Sequence, residues 1–266
     1  MNLKGTFCIY SGSGNTRLAC EYIASKLPRV EFDLIDVVQE EDVRLEPYDV
    51  VGFATFTDFF ALPRRFQTFL KELPPQEGKP AFVFNTYGSF SGKTLKILGD
   101  LAADKGFNVL AGHSLHTPES YPPLNALGIT SETSPDEEEL EAFNRFIDRL
   151  AAKILVVETG EEIEADGVHL GLLNRLIPAL PRTTSRTLMS DLHVDAERCT
   201  ECGLCEQLCP YDAIVLDPKP VFDAERCYAC WACYNHCPEK AIYTKRYKDV
   251  GHYPEPNARL QQKLGS

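Results

Sequence analysis

The chain has 266 residues, of which 44% are hydrophobic and 25% charged, and its formal net charge is −12. This length allows more than one domain, and the composition is that of an ordinary globular protein. The acidic excess argues against nucleic acid as a partner, because binding a phosphate backbone requires clustered Lys and Arg.

Short apolar runs alternate with helical patterns through residues 1–157. The pattern predicts strands at residues 6–10, 31–38, 48–56, 80–86 and 107–114. It predicts helices at residues 15–27, 63–73 and 92–105 between them. Strands that alternate with helices of this length indicate an α/β fold with a doubly wound parallel sheet.

A small, polar loop follows the first predicted strand and precedes the first predicted helix. It consists of Ser11, Gly12, Ser13, Gly14, Asn15 and Thr16. Glycines let a phosphate approach the backbone, and the N–H groups of a helix N-terminus attract anions. A plain tight turn is the alternative. The loop has no third glycine at the spacing of a dinucleotide fingerprint, so oxidation of NAD(P)H by this chain alone is disfavoured.

A long helix is predicted to close this region. Ser134 is the expected N-cap, with Pro135 at the first helical position and Glu137 completing a capping box. Helical spacing places five apolar residues on one face, which we expect to pack on the sheet: Leu140, Phe143, Ile147, Leu150 and Ile154.

Charge is unevenly distributed in the middle of the chain. Residues 132–166 carry 12 acidic and 3 basic residues, which forms either a solvated helix face or a docking patch for a basic redox partner. Residues 167–190 contain arginines among leucines and no acid. We expect residues 158–190 to be a linker that docks two domains, in preference to a segment lying on a membrane surface.

Eight of the ten cysteines form two copies of one motif, C-x2-C-x2-C-x3-C-P. The second copy follows the first by 28 residues, and the sequence DAERC at 195–199 recurs at 223–227. An internal repeat predicts two small units packed with pseudo-twofold symmetry. Paired cysteines also bind zinc, but this spacing with a proline after each fourth cysteine favours iron–sulfur clusters.

These motifs resemble the bacterial two-cluster 4Fe–4S ferredoxins over about 55 residues. The resemblance implies two 4Fe–4S clusters with crossed ligands, so that each motif gives its fourth cysteine to the other cluster. Cluster one would be held by Cys199, Cys202, Cys205 and Cys237. Cluster two would be held by Cys227, Cys230, Cys233 and Cys209. We expect Tyr228 and Trp231 to exclude water from cluster two.

The loop at residues 11–16 resembles the phosphate loop of flavodoxins, and the element order of residues 1–157 is also flavodoxin-like. The resemblance implies strand order 2-1-3-4-5, with FMN at the switch point and its phosphate on residues 11–16. Two further loops would flank the isoalloxazine ring. Their expected contacts are Thr55, Phe56, Thr57, Asp58 and Phe59 in one, and Asn85, Thr86, Tyr87, Gly88 and Phe90 in the other.

The whole chain therefore resembles flavodoxin–ferredoxin fusion proteins. The expected organisation is a flavodoxin-like domain at 1–157, a linker at 158–190, a small α+β ferredoxin domain at 191–248 and a tail at 249–266. Its expected function is electron transfer between FMN and the clusters, with a ferredoxin or reductase as redox partner. An FMN-dependent reductase of a small molecule and a redox sensor without turnover remain alternatives, and a homodimer stays open.

The sequence also bears on location. No stretch approaches the roughly 18 apolar residues of a membrane span, and the N-terminus lacks the apolar core of a secretory signal. Cysteine motifs of this kind are typical of a reducing compartment. We therefore expect a cytoplasmic protein of anaerobic metabolism.

Overall fold

A computed structural model describes residues 3–40, 42–159, 167–168 and 182–265. Its first half is a five-stranded parallel sheet in the order β2-β1-β3-β4-β5. The strands are β1 Leu3–Ile9, β2 Val30–Asp36, β3 Val50–Phe56, β4 Pro80–Tyr87 and β5 Asn108–His116. The expected fold class and strand order are confirmed.

Helices cover both faces of this sheet. They are α1 Asn15–Lys26, α2 Arg64–Glu72, α3 Thr94–Asp104, α4 Pro122–Ala126 and α5 Glu137–Thr159. The central strand β3 is buried on both faces, whereas in the edge strand β2 only Val30 is buried and Glu31 and Asp33 are exposed. This difference follows from position, because both faces of a central parallel strand are covered by helices.

The long helix begins two residues later than predicted. Asp136, not Ser134, is the N-cap, because its carboxylate accepts the backbone N–H of Glu139 at 2.8 Å. Glu139 returns the interaction by accepting the N–H of Asp136 at 2.8 Å, so a capping box is present in a shifted register. The predicted apolar face is confirmed at Phe143, Ile147, Leu150 and Ile154, which are all buried in the core.

The second half is small and built around two short antiparallel pairs. Strand β6 (Leu192–Val194) pairs with β9 (Ile242–Thr244), and β7 (Ile214–Asp217) pairs with β8 (Lys219–Phe222). The helices here are α6 Arg182–Met189, α7 Leu204–Gln207 and α8 Ala232–His236. Most of the expected linker, residues 160–166 and 169–181, lies outside the described residues.

The two repeats adopt matching backbones. Positive φ angles recur at equivalent positions, 60° at Glu201 and 58° at Ala229, and 49° at both Asp212 and Lys240. In each DAERC sequence the Asp carboxylate accepts the N–H two residues later, which forms the same turn twice. The expected pseudo-twofold relation is thus visible in local geometry.

The C-terminal residues return to the first domain. Helix α9 (Ala258–Leu264) begins at Asn257, whose side chain accepts the backbone N–H of Leu260 at 2.8 Å. Leu260 and Leu264 are buried in the same core cluster as Ala19 and Ile23 of α1. The segment expected as a tail therefore completes the core of the first domain.

Candidate cofactor sites

The eight cysteines of the two motifs converge in two separate groups. Site 1 is a small pocket whose lining includes Cys199, Cys202, Cys205 and Cys237. Site 2 is a small pocket whose lining includes Cys209, Cys227, Cys230 and Cys233. Each cavity thus contains three cysteines of one motif and the fourth cysteine of the other motif.

Backbone N–H groups point at the fourth cysteine of each motif. Ala213 donates to the Cys209 sulfur at 3.3 Å, and Ala241 donates to the Cys237 sulfur at 3.3 Å. Such hydrogen bonds stabilise negative charge on a thiolate and tune a bound cluster. The equal distances mean that this influence is the same at both sites.

One thiol in each site, Cys233 in site 2 and Cys205 in site 1, has a raised pKa. Burial raises the pKa of the Cys233 thiol well above its usual value, and the neighbouring Cys230, Cys227 and Cys209 raise it further. Burial also raises the pKa of Cys205, with contributions from Cys237 and Cys202. Cations at the centre of each group would relieve this repulsion, because thiolates are the ligands that iron–sulfur clusters require.

The loop at residues 11–16 links β1 to α1 at the carboxyl end of the sheet. Gly14 is the N-cap of α1 and has φ 88°, a left-handed conformation that favours glycine. No backbone N–H of residues 12–16 donates a hydrogen bond within the described part of the chain. These N–H groups, together with the hydroxyl groups of Ser11 and Ser13, suit an anion such as a phosphate.

The Ser11 hydroxyl accepts the backbone N–H of Arg17 at 3.2 Å, and two further side chains of this loop have partners in other segments. Asn15 donates to the carbonyl of Pro118 at 3.0 Å and accepts the Tyr253 hydroxyl at 3.0 Å. The Thr16 hydroxyl lies 2.9 Å from that of Thr86. Their side chains brace neighbouring segments, so their contribution to an anion site would come from the backbone.

The two predicted ring-binding loops lie side by side, because β3 and β4 are adjacent. Asn85 joins them by donating to the Thr57 hydroxyl at 3.0 Å, and Thr57 donates its backbone N–H to the carbonyl of Thr86 at 2.8 Å. Thr55 is fully buried, and its hydroxyl donates to the carbonyl of Tyr10. The polar members of these loops therefore hold the loops in shape.

Aromatic residues extend from this polar frame. Phe56 packs edge-on against Tyr10 with ring centroids 5.0 Å apart, whereas Phe90 is 49% exposed. Tyr87 stacks on His116 at 5.1 Å, and burial, with help from Glu139, raises the pKa of its phenol. A planar ligand would find aromatic edges on both loops.

Two further loop residues are shaped by close contacts. Phe59 has φ 49°, and the Asp58 and Ala61 backbones bond to each other across the turn that presents it. Gly88 lies against Glu119, whose carboxylate would collide with any side chain at this position. The Glu119 carboxylate also accepts hydrogen bonds from the Ser89 hydroxyl and from the backbone N–H groups of Ser120 and Tyr121. These bonds fix the neighbouring loop at residues 118–121.

Comparison with known proteins agrees with the division into two parts. Residues 192–215 and 220–243 each match the family model of the 4Fe–4S binding domain. No curated protein sequence matches the chain. A flavodoxin from the domain Archaea is 18% identical over 57% of this chain and 99% of its own, with a TM-score of 0.42. A flavodoxin, WrbA-like protein from Agrobacterium tumefaciens is 18% identical over 60% of this chain and 99% of its own, with a TM-score of 0.43.

The solved structures include larger proteins. The rubredoxin oxygen:oxidoreductase of Desulfovibrio gigas is 14% identical over 58% of this chain and 37% of its own, with a TM-score of 0.43. These likenesses are too weak to carry an argument, so the assignment of the first half depends on the strand order 2-1-3-4-5. The chain combines a flavodoxin-like fold with a region, called the ferredoxin domain, that matches the 4Fe–4S binding domain. An electron-transfer redox protein follows from this pairing.

The ferredoxin domain contacts the flavodoxin-like domain directly at residues 11–16. His236 of the ferredoxin domain donates its Nε2–H to the carbonyl of Gly12 at 2.8 Å, and Pro256 of the C-terminal segment lies against Gly14. Nearby, Asn235 donates to the carbonyl of Ser120 at 3.0 Å. The candidate phosphate loop is therefore held between the two domains.

Several of these contact residues were missed by sequence reasoning. Tyr253 and Pro256 belong to no motif, and His236 occupies a variable position of the second cysteine motif, so only folding brings these residues to the site. The sequence carried one signal that the two repeats differ at this boundary, because aligning the repeats places Trp231 opposite Gly203.

Among the described residues, no helix has the length and hydropathy needed to cross a membrane.

Proposed function

We propose that this protein transfers electrons between FMN in the flavodoxin-like domain and two 4Fe–4S clusters in the ferredoxin domain. The observation that carries the proposal is the grouping of the cysteines. Two pockets are each lined by four cysteines, in the crossed arrangement that the resemblance to two-cluster ferredoxins implies. In this proposal site 1 holds cluster one and site 2 holds cluster two.

The flavin half of the proposal depends on the carboxyl edge of the sheet. Ligands of open α/β sheets bind at the switch point of the strand order, which here lies between β1 and β3. The loop at residues 11–16 would hold the FMN phosphate, and the loops after β3 and β4 would hold the ring. FMN carries one or two electrons, so it couples two-electron chemistry to one-electron clusters.

Binding measurements on anaerobically purified protein test this function. We expect one FMN and about eight irons per chain, as two 4Fe–4S clusters require. Riboflavin, which lacks the phosphate, is the matched control ligand. It should bind at least about tenfold more weakly, since losing charge-assisted hydrogen bonds costs about 1.5–3 kcal/mol. Protein with full iron and no affinity for FMN would contradict the proposal.

A second experiment separates electron transfer from the alternatives. The loaded protein is mixed anaerobically with a reduced one-electron carrier, and flavin and cluster absorbance are followed. Electron transfer predicts that both cofactors change oxidation state without a small-molecule substrate. Continuous turnover of an added small acceptor would instead identify a reductase, and partner binding without electron exchange would identify a sensor.

A further inference from the structure

At one equivalent position the two repeats share a left-handed backbone conformation but have different residues. Gly203 in the first repeat has φ 75°, and its equivalent in the second repeat, Trp231, has φ 65°. Glycine adopts this conformation without steric penalty, whereas a side chain collides with its own backbone. The chain's single tryptophan therefore occupies a strained position for which the other repeat uses glycine. Such strain persists where the surroundings require the side chain.

The surroundings of Trp231 show what the side chain contacts. It is 2% exposed and lines site 2 together with that site's cysteines. Its ring meets Tyr234 and Tyr247 of the ferredoxin domain at 5.2 and 5.5 Å. It also meets Tyr121 of the flavodoxin-like domain at 6.0 Å. The indole thus spans the boundary between the domains.

Two lines of contact lead from the second repeat to the same loop. Beyond Trp231, Tyr121 contacts Phe59. The rings of Tyr121 and Phe59 are 5.4 Å apart and edge-on. Independently, the Tyr228 hydroxyl donates to the Asp58 carboxylate at 3.1 Å. Both paths end in the loop after β3, which the proposed function assigns to the flavin ring.

Two equivalent positions of the first repeat are exposed to solvent. Thr200, the counterpart of Tyr228, is exposed, and so is Cys202 of site 1. In site 2 the counterpart of Cys205 is Cys233, which is only 7% exposed. Site 1 therefore lies nearer to solvent than site 2.

We propose, resting on the proposed function, that site 2 is the flavin-proximal cluster and that Trp231 couples it to the flavin. Site 1 is then the terminus that exchanges electrons with a one-electron protein carrier. In each step one cofactor loses one electron and its neighbour gains that electron. A fully reduced flavin gives up two electrons in succession, and its protons pass to water. Trp231 is not consumed; it fills the space between donor and acceptor.

Substitution of the tryptophan tests the coupling. Trp231→Gly restores the residue of the other repeat, so its backbone is relieved rather than strained, and Trp231→Phe is a second variant that keeps an aromatic ring. Val221→Ala is the control, since Val221 is a 58% exposed residue of β8 that lines neither site 1 nor site 2. FMN and iron contents are measured first for every variant, and electron exchange between flavin and clusters is then followed by rapid mixing.

We expect Trp231→Gly to slow exchange between flavin and clusters by about tenfold or more, because small displacements of a reacting pair have large effects on rate. Trp231→Phe should slow it less, and Val221→Ala should leave it unchanged. Reduction of the clusters by an external carrier should be unaffected in all three. Unchanged flavin exchange in a fully loaded Trp231→Gly protein would overturn the inference.

A spectroscopic measurement identifies the proximal cluster without any turnover. A reduced cluster near the flavin accelerates the EPR relaxation of the flavin radical. Cys209→Ala, directed at site 2, should remove this acceleration, and Cys237→Ala, directed at site 1, should not. The reverse result would overturn the inference while leaving the proposed function intact. Wild-type protein that carries both clusters and no FMN would overturn both.

Discussion

The two cysteine sites share one backbone design and differ in what surrounds them. Both have an N–H to sulfur bond of 3.3 Å to the fourth cysteine and the same DAERC turn. Site 2 nevertheless lies against the flavodoxin-like domain, whereas Cys202 of site 1 is exposed. A duplicated sequence thus produces two equivalent frames, and their different neighbours give them different roles.

Substitution of the fourth cysteine of one motif should produce the largest difference between the two sites, because one cluster is lost and the other is kept. We expect Cys209→Ala to remove the 4Fe–4S signal of site 2 even though Cys209 belongs to the first motif. About four of about eight irons should remain, since each cluster has its own four cysteines. Iron analysis and EPR measure this outcome. Cys20→Ala, a buried thiol of α1 far from the motifs in sequence, is the control. If Cys209→Ala and Cys199→Ala removed the same cluster, the crossed arrangement would be wrong.

Substitution of a buried residue of the C-terminal helix α9 should lower the stability of the flavodoxin-like domain, against which site 2 lies. Leu260 is fully buried, so Leu260→Ala should destabilise the flavodoxin-like domain by about 2–5 kcal/mol. Chemical denaturation followed by circular dichroism measures this change. Gln262→Ala, on the exposed side of the same helix, should change stability by less than about 0.5 kcal/mol. Equal effects of the two substitutions would show that this packing does not stabilise the domain.

The different solvent exposure of the two sites should also give their clusters different rates of chemical loss. We expect oxygen or an iron chelator to destroy the cluster of site 1 several times faster, because Cys202 is exposed and Cys233 is buried. EPR spectra recorded during exposure distinguish the two signals. A cleft between the domains reaches Cys209. Faster loss at site 2 would mean that reagents enter through this cleft and that the burial of Cys233 does not protect the site.

The smallest expected effect concerns one hydrogen bond between the domains. Tyr228→Phe keeps the ring and removes the donor to Asp58, which should cost about 0.5–1.5 kcal/mol of stability. Thr200→Ala alters the equivalent, exposed position of the first repeat and should have almost no effect. Thermal unfolding of loaded protein provides the comparison. A larger loss for Thr200→Ala would contradict the assignment of the domain contact to the second repeat.

Local patterns predicted most of the fold. The apolar runs of β3 and β4 identified central strands, because only strands buried on both faces lack polar alternation. The capping box was predicted in the wrong register, since Ser134 and Asp136 are both good cap residues and only the backbone path selects between them. Helix α9 was missed because its apolar residues are few and are buried by α1, which is remote in sequence.

By itself, the sequence determined the alternation of strands and helices that makes a parallel sheet, and the presence of two cysteine motifs, because strand periodicity and cysteine spacing are local properties of the chain. The strand order and the crossed cysteine ligation were implied by the resemblance to known families. The meeting of the domains was decided by tertiary structure alone. Contacts such as His236 with Gly12 and Trp231 with Tyr121 join residues more than 100 positions apart. Nothing in the spacing of a repeat states which copy will face a neighbour. That choice depends on how the whole chain packs, and it distinguishes site 2 from site 1.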